Sequence, residues 1–258
     1  MQDSMYSALF GALTNEHRLN IIANNLANAN TTGYKQDRLA FKDVMVHFAH
    51  DTIMEARSTL RSPTLLPDPT IIAKPRLAMA RTDFSQGGLR ESGNPLDVAI
   101  MGEGFFKVQV DGNEYYTRNG NFHRSAEGTL VNSEGYPVMG ASGAITLPQG
   151  DVYIDSAGRI LVNGEETAAL SVVSVDNLDA LEKVGHNLFQ LPEASDVQEI
   201  AATDAQIEQG YLEAANINVV EEMVNMIETQ RAYEAYTKII KSTNETDQKL
   251  LMKVGRAR

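Results

Sequence analysis

The chain has 258 residues, with 22 Lys+Arg against 34 Asp+Glu and a formal net charge of −12. This length can bury a substantial core, and the acid excess excludes the cationic footprint that nucleic acid or an anionic membrane surface demands. Cysteine is absent, which removes disulfides, thiolate metal sites, iron–sulfur clusters and a cysteine nucleophile. No apolar run approaches the roughly 18 residues of a membrane-crossing helix. The first basic residue is Arg18, so a positively charged leader with a cleavage site is not expected.

At the N-terminus, Met5, Leu9, Ala12, Glu16, Leu19, Ala23 and Leu26 are spaced alternately by four and three. This predicts a helix with a coiled-coil-like seam. Asn15, Asn20, Asn24, Asn25, Asn28 and Asn30 crowd the same segment. Asparagine is a mediocre helix former, so the helix is expected to be marginal in isolation. Asn30-Thr31-Thr32-Gly33 reads as its stop, with Gly33 in the left-handed position past the helix end.

Residues 46–80, with Pro63, Pro67, Pro69 and Pro75, read as extended and irregular. His47 and His50 lie three apart beside Asp51, but no third ligand is singled out. A solvated helix end is the expected reading. Of 19 glycines, 14 lie between residues 85 and 165, so the middle is expected to be strands and turns. Residues 104–117 read as a hairpin turning at Asp111-Gly112. Further short strands are expected near Thr129–Val131, Tyr136–Met139, Val152–Ile154, Arg159–Val162, Leu170–Val175 and Asn187–Leu191.

The C-terminal segment is the stronger helix. Asn218 with Glu221 three residues on resembles a capping box. Val219, Val220, Met223, Met226, Ile227, Tyr233, Tyr236, Ile240 and Leu251 recur at helical spacing, interrupted by Gln230, Asn244 and Asp247. A helix over 219–254 would be about 54 Å long, whereas a middle domain of roughly 180 residues is only about 40 Å across. The domain cannot bury that helix along its length. The N-terminal helix is expected to cover part of it and to leave an apolar edge for association.

The expected fold class is α+β: terminal helices paired in a coiled-coil-like domain, with a central antiparallel all-β domain. The expected divisions are 1–34 with 212–258 for helical assembly, 35–84 for an extended connection, and 85–211 for the β-rich part. No catalytic residue, cofactor site or metal site is singled out. Gly102-Glu103-Gly104 starts like a dinucleotide fingerprint, but Lys107 stands where the third glycine belongs and a strand-like run follows. No Walker A sequence or nucleophile elbow is present. Phe105, Phe106, Tyr115, Tyr116 and Tyr136 read as core rather than as a sugar or base platform.

Three blocks carry a family resemblance. The first is Asn24-Asn25-Leu26-Ala27-Asn28-Ala29-Asn30-Thr31-Thr32-Gly33-Tyr34-Lys35. The second runs from Gly93-Asn94-Pro95-Leu96-Asp97-Val98 through Gly102-Glu103-Gly104-Phe105-Phe106 to Tyr116-Thr117-Arg118-Asn119-Gly120 and Gly135-Tyr136-Pro137-Val138. The third is Gly210–Met223 continuing through Met226–Glu234. In this order they resemble the bacterial flagellar basal-body rod and hook family. Length and residues 1–13 resemble its proximal-rod branch most, with the distal-rod branch the runner-up.

The resemblance implies a structural subunit of the torque-transmitting rod rather than an enzyme, with no cofactor. It implies export through the flagellar type III apparatus without a cleaved signal, and helical stacking around the export channel. The implied partners are copies of itself and neighbouring rod proteins, with neither nucleic acid nor membrane insertion. The assembly interface would comprise Met5, Leu9, Ala12, Leu19, Ala23, Leu26, Asn24, Asn25 and Asn28 on the first helix. On the last it would comprise Val219, Val220, Met223, Met226, Ile227, Gln230, Tyr233, Ile240 and Leu251. Phe41 and Met45 fit the family's export-gate pattern; an ordinary apolar i,i+4 pair reads as well from the residues. A glycan-binding β domain on a helical stalk and a carboxylate hydrolase stand as alternatives from other classes.

Overall fold

The computed structural model describes residues 2–47, 71–192, 197–202 and 205–255. The chain forms two compact units, Met1–Asp37 with Thr82–Arg258, and Arg38–Arg81. In the smaller unit, strands Asp37–His47 and Ile71–Thr82 pair in a two-stranded sheet. Regular strand thus replaces the irregular chain expected at 71–80, and His47 ends a strand rather than a helix. Pro75 is tolerated there because a two-stranded ribbon is all edge. His50 lies outside the described residues. Phe41 and Met45 share the first strand, where a four-residue separation spans about 13 Å. The helical i,i+4 reading of that pair is therefore overturned; their side chains lie outside the described residues.

In the larger unit, helices α1 (Gln2–Ala27) and α2 (Val219–Gly255) pack on each other. Asn218 opens α2: its Oδ1 accepts the Glu221 N–H at 3.5 Å, and its C=O accepts the Glu222 N–H at 2.9 Å. Further along the pair, Gly11 of α1 approaches Tyr236 of α2. A Cβ at Gly11 would sit 2.6 Å from that ring. The absent side chain is what lets the helices close there. Since both helices meet the β domain at Ala27 and Val219, they run antiparallel, α1 toward the domain and α2 away from it.

This contact selects the seam. On α1 the inward residues are Ala8, Ala12, Asn15, Leu19, Ile22 and Leu26, buried or half-buried. On α2 they are Met226, Thr229, Tyr233, Tyr236, Ile240 and Thr243. Both sets keep the alternation of three and four. The α1 set is the predicted stripe moved three residues along. Ala12, Leu19 and Leu26 belong to both stripes; Met5, Leu9, Glu16 and Ala23 are exposed. The physical reason is size: Gly11 admits the Tyr236 ring, and the small Ala8 and Ala12 beside it are buried, whereas the bulkier Met5 and Leu9 stay exposed.

The β domain is built mainly from short antiparallel strands. Its largest sheet runs in the order Gly143–Ala144, Val138–Gly140, Phe105–Val110, Asn113–Thr117, Leu188–Gln190 and Glu182–Gly185. Val172–Val175 also pairs with Phe105–Val110 and carries Glu199–Ala201. The predicted hairpin is present, with Asp111 at φ 51° and Gly112 at φ 88° joining paired Val110 and Asn113. Two positive φ values mark the turn whose twist matches the strands. Val98, Ile100, Phe106, Val108, Phe122 and Ile160 lead the main core. Phe105, Tyr116, Val175, Leu181 and Phe189 form a second cluster capped by Phe84. Phe105, Phe106 and Tyr116 are thus core, and Tyr115 and Tyr136 pack against it. A three-stranded sheet, Val152–Ile154, Arg159–Val162 and Glu165–Ala169, and three two-stranded pairings complete the domain: Phe122–Arg124 on Leu130–Asn132, Gln206–Gln209 on Val98–Met101, and Tyr211–Glu213 on Leu89–Glu91.

Candidate functional site

The pairing of Tyr211–Glu213 with Leu89–Glu91 delivers Glu213 to the base of the helices. The carboxylate is 1% exposed. Its Oε1 accepts from Lys35 Nζ at 2.6 Å and from the Gly87 N–H at 2.8 Å; its Oε2 faces Arg118 Nη1 at 3.4 Å. Lys35 is equally buried and donates also to the Ser85 C=O at 2.8 Å. Arg118 donates through Nη2 to the Gly102 C=O at 2.6 Å and lies 5.4 Å over the Phe105 ring. Burial pulls the pKa of both Lys35 and Arg118 down, and the Glu213 charge opposes that fall. One carboxylate therefore holds two buried cations from distant parts of the chain. Such a cluster is held by mutual compensation, and losing the shared acid strands both partners.

Around this centre the backbone is clamped by amides. Asn25, 1% exposed, donates to the Asp37 C=O at 2.9 Å and accepts the Asp37 N–H at 3.0 Å. Asn216 accepts the Gln36 N–H at 2.8 Å and donates to the Asp83 C=O at 2.7 Å. Asn187 donates to the Thr32 C=O at 2.9 Å, and Thr32 Oγ1 to Asn119 at 2.8 Å. Lys183 donates to the Lys35 C=O and to Asp37 Oδ1, with its ammonium 4.6 Å over the Tyr34 ring. Gly33 gives its N–H to the Glu213 C=O at 2.7 Å with φ +67°. A Cβ there would lie 2.5 Å from the Arg118 carbonyl carbon. Gly33 is thus not the helix-end glycine expected, for α1 stops at Ala27. Its conformation serves the close approach to Arg118 and Asn119.

The predicted interface residues separate into three groups. Asn25 belongs to the joint, with Asn24 accepting from the Tyr34 hydroxyl and Asn28 folding back on Asn24. Ala12 is buried, and Leu19, Leu26, Met226, Tyr233 and Ile240 are half-buried, on the two packed helices. Met5, Leu9, Ala23, Val219, Val220, Met223, Ile227 and Gln230 are exposed. The side chain of Leu251 lies outside the described residues. Phe10, Leu13 and Val224, absent from the predicted set, are exposed too, at 62, 43 and 50%. Sequence reasoning missed the roles of Lys35, Arg118, Glu213 and Asn216, although each stands inside one of the three family-like blocks; membership of those blocks was the available signal.

These features define a structural scaffold: an α+β body whose terminal helices are fixed by a buried polar joint and carry uncovered apolar side chains. Comparisons with known proteins give the family. Residues 5–35 match the family described as Flagella basal body rod protein. Residues 99–162 match Flagellar hook protein FlgE/F/G D1 domain, and 208–252 match Flagellar basal body rod FlgEFG protein C-terminal. The chain is 35% identical to the flagellar basal-body rod protein FlgF of Caulobacter vibrioides over 99% of both chains. It is 34% identical to FlgG of Buchnera aphidicola subsp. Schizaphis graminum over 97% of this chain and 99% of that one. FlgG of Bacillus subtilis is 30% identical over 97% and 98%. The chain belongs to the flagellar basal-body rod family of FlgE, FlgF and FlgG, and is a structural rod component, not an enzyme.

Proposed function

We propose that this structural subunit sits in the proximal rod, polymerises around the export channel through coiled-coil-like packing of its terminal helices, and transmits motor torque. The observation that carries the assembly role is the row of exposed apolar residues on two helices of an otherwise well-packed unit. Val220 is 72% exposed, Phe10 62% and Ile227 53%. Uncovered apolar surface of this kind marks association. The interface comprises the outward members of the predicted set, with Phe10, Leu13 and Val224 added. The buried joint fixes the helical pair to the β domain, so load on one reaches the other.

The proximal position is proposed from residues 1–13, which resemble that branch most. Export by the type III apparatus without a cleaved leader, with Phe41 and Met45 read at the gate, completes the proposal. A strain lacking this chain tests it. Full-length protein is expected to restore swimming and to appear at the motor end of the rod by electron cryomicroscopy. A version lacking residues 2–27 is expected to do neither, and normal swimming with that version would refute the reading.

A further inference from the structure

Beside the joint lies a half-open cavity of about 480 Å³, within the size range of small-ligand sites. The end of α1 supplies Asn24 and Asn28 to its wall, and the β domain supplies Asn119, Glu134, His186 and Asn187. His186 and Asn187, at φ 49° and 58°, turn the hairpin that joins Glu182–Gly185 to Leu188–Gln190. The whole wall belongs to the larger unit.

Three amides in this wall are each held by one end only. Asn24 Oδ1 accepts from the Tyr34 hydroxyl and from Asn28 Nδ2, both at 3.0 Å. Asn119 Oδ1 accepts from Thr32 Oγ1 at 2.8 Å and from the Asn121 N–H at 3.1 Å. Asn187 Nδ2 donates to the Thr32 C=O. Among the described residues, no hydrogen bond reaches the other ends, Asn24 Nδ2, Asn119 Nδ2 and Asn187 Oδ1. Two donors and one acceptor are thus fixed in place at the cavity with capacity to spare. Glu134 adds a carboxylate, 3.6 Å from His186 Nδ1, and both side chains are exposed.

Charge and chemistry narrow the ligand. Lys183 in the wall is neutralised by Asp37 at 2.8 Å, Glu134 brings a negative charge, and α1 presents its electronegative C-terminal end. An anion is therefore disfavoured. An apolar ligand would leave the amide ends desolvated and unpaired. Hydroxyls suit them, because each hydroxyl both donates and accepts. The available groups come from separate segments around the cavity, which matches hydroxyls set round a compact ring better than the repeating row of an extended peptide. We infer that this cavity binds a short neutral saccharide through Asn24, Asn119, Asn187 and Glu134. The one tyrosine in the wall, Tyr34, is buried beneath the Lys183 ammonium and offers no stacking face. The affinity is accordingly modest, with a Kd of about 1 mM. This inference is independent of the rod reading.

The test is a titration of the isotope-labelled full-length chain with cellobiose and with N,N′-diacetylchitobiose, followed by NMR. With at least one of these sugars, the side-chain amide signals of Asn24, Asn119 and Asn187 are expected to shift together and saturate. Asn24→Asp and Asn119→Asp each keep the oxygen that the fold uses and remove the spare donor. Each is expected to weaken binding about tenfold while the spectrum stays that of the folded chain. Glu134→Gln, at an exposed side chain, gives a third variant that leaves folding untouched and is expected to weaken binding too. Shifts confined to other parts of the chain, no saturation by either sugar, or folded variants that all bind like the unaltered chain would each overturn the proposal. Tighter binding of inorganic phosphate at the same three amides would overturn it as well.

Discussion

The joint and the helical pair solve the same problem in opposite ways. At the joint, polar groups are buried and nearly all satisfied within one chain: Lys35, Glu213 and Arg118 compensate one another, and Asn25 and Asn216 occupy backbone donors and acceptors. Arg118 Nε is the exception there, buried without a hydrogen-bond partner. Along the helices, apolar groups that would be buried in a finished core stand in water. The first region is complete in the single molecule; the second is the one proposed to gain its cover on assembly. This division suits the assembly role proposed above. The helices already pack on each other, and the joint ties them to the β domain, while one apolar side stays uncovered.

Substitutions at the joint should break that contrast most severely. Glu213→Ala leaves Lys35 and Arg118 buried without their acid, and is expected to cost about 3–5 kcal/mol. The urea midpoint of the purified full-length chain would report it. Gly33→Ala comes next: it forces a side chain into positive φ and against the Arg118 backbone. A loss of about 2–3 kcal/mol is expected by the same measurement. At the helices the ranking of readouts inverts. Ile227→Ser should move the midpoint by less than about 0.5 kcal/mol, as surface changes do, yet reduce incorporation into basal bodies. Equal effects on both measurements would erase the distinction between the two regions.

The smallest expected effect is one of pH. Burial, and then the charge of Asp37, push the Tyr34 phenol from 10.0 up to about 12, against a smaller opposing hydrogen bond from Asn28. A raised pKa favours the protonated form in the folded state. The stability it contributes is therefore complete below pH 10 and lost as pH rises through 12. Tyr34→Phe should flatten the fall of the urea midpoint between pH 10 and 12 relative to the unaltered chain. An unchanged slope would place the tyrosine outside the buried joint.

Local features were legible in the sequence. Asp111-Gly112 fixed a hairpin because only a few residue pairs accept two positive φ values in succession. Asn218 announced α2 because a cap acts on backbone groups two or three residues away. The long C-terminal pattern required more surface than a small domain offers, so an uncovered apolar edge followed from length alone. These conclusions involve neighbours along the chain, where spacing is geometry.

What depended on distant residues was decided only by the tertiary structure. The heptad alternation of α1 admits two stripes three residues apart. The close approach of Tyr236 to Gly11 goes with the one bearing Ala8 and Ala12, since bulk rather than hydrophobicity governs a close helix approach. Gly33 looked like a helix end and proved to be a contact with residues 118 and 119. Lys35, Arg118 and Glu213 are separated by 83 and 95 residues in sequence, and no local rule relates three charges across such gaps. Their pairing exists because folding removes water from all three at once, leaving each charge to find its compensation in the others.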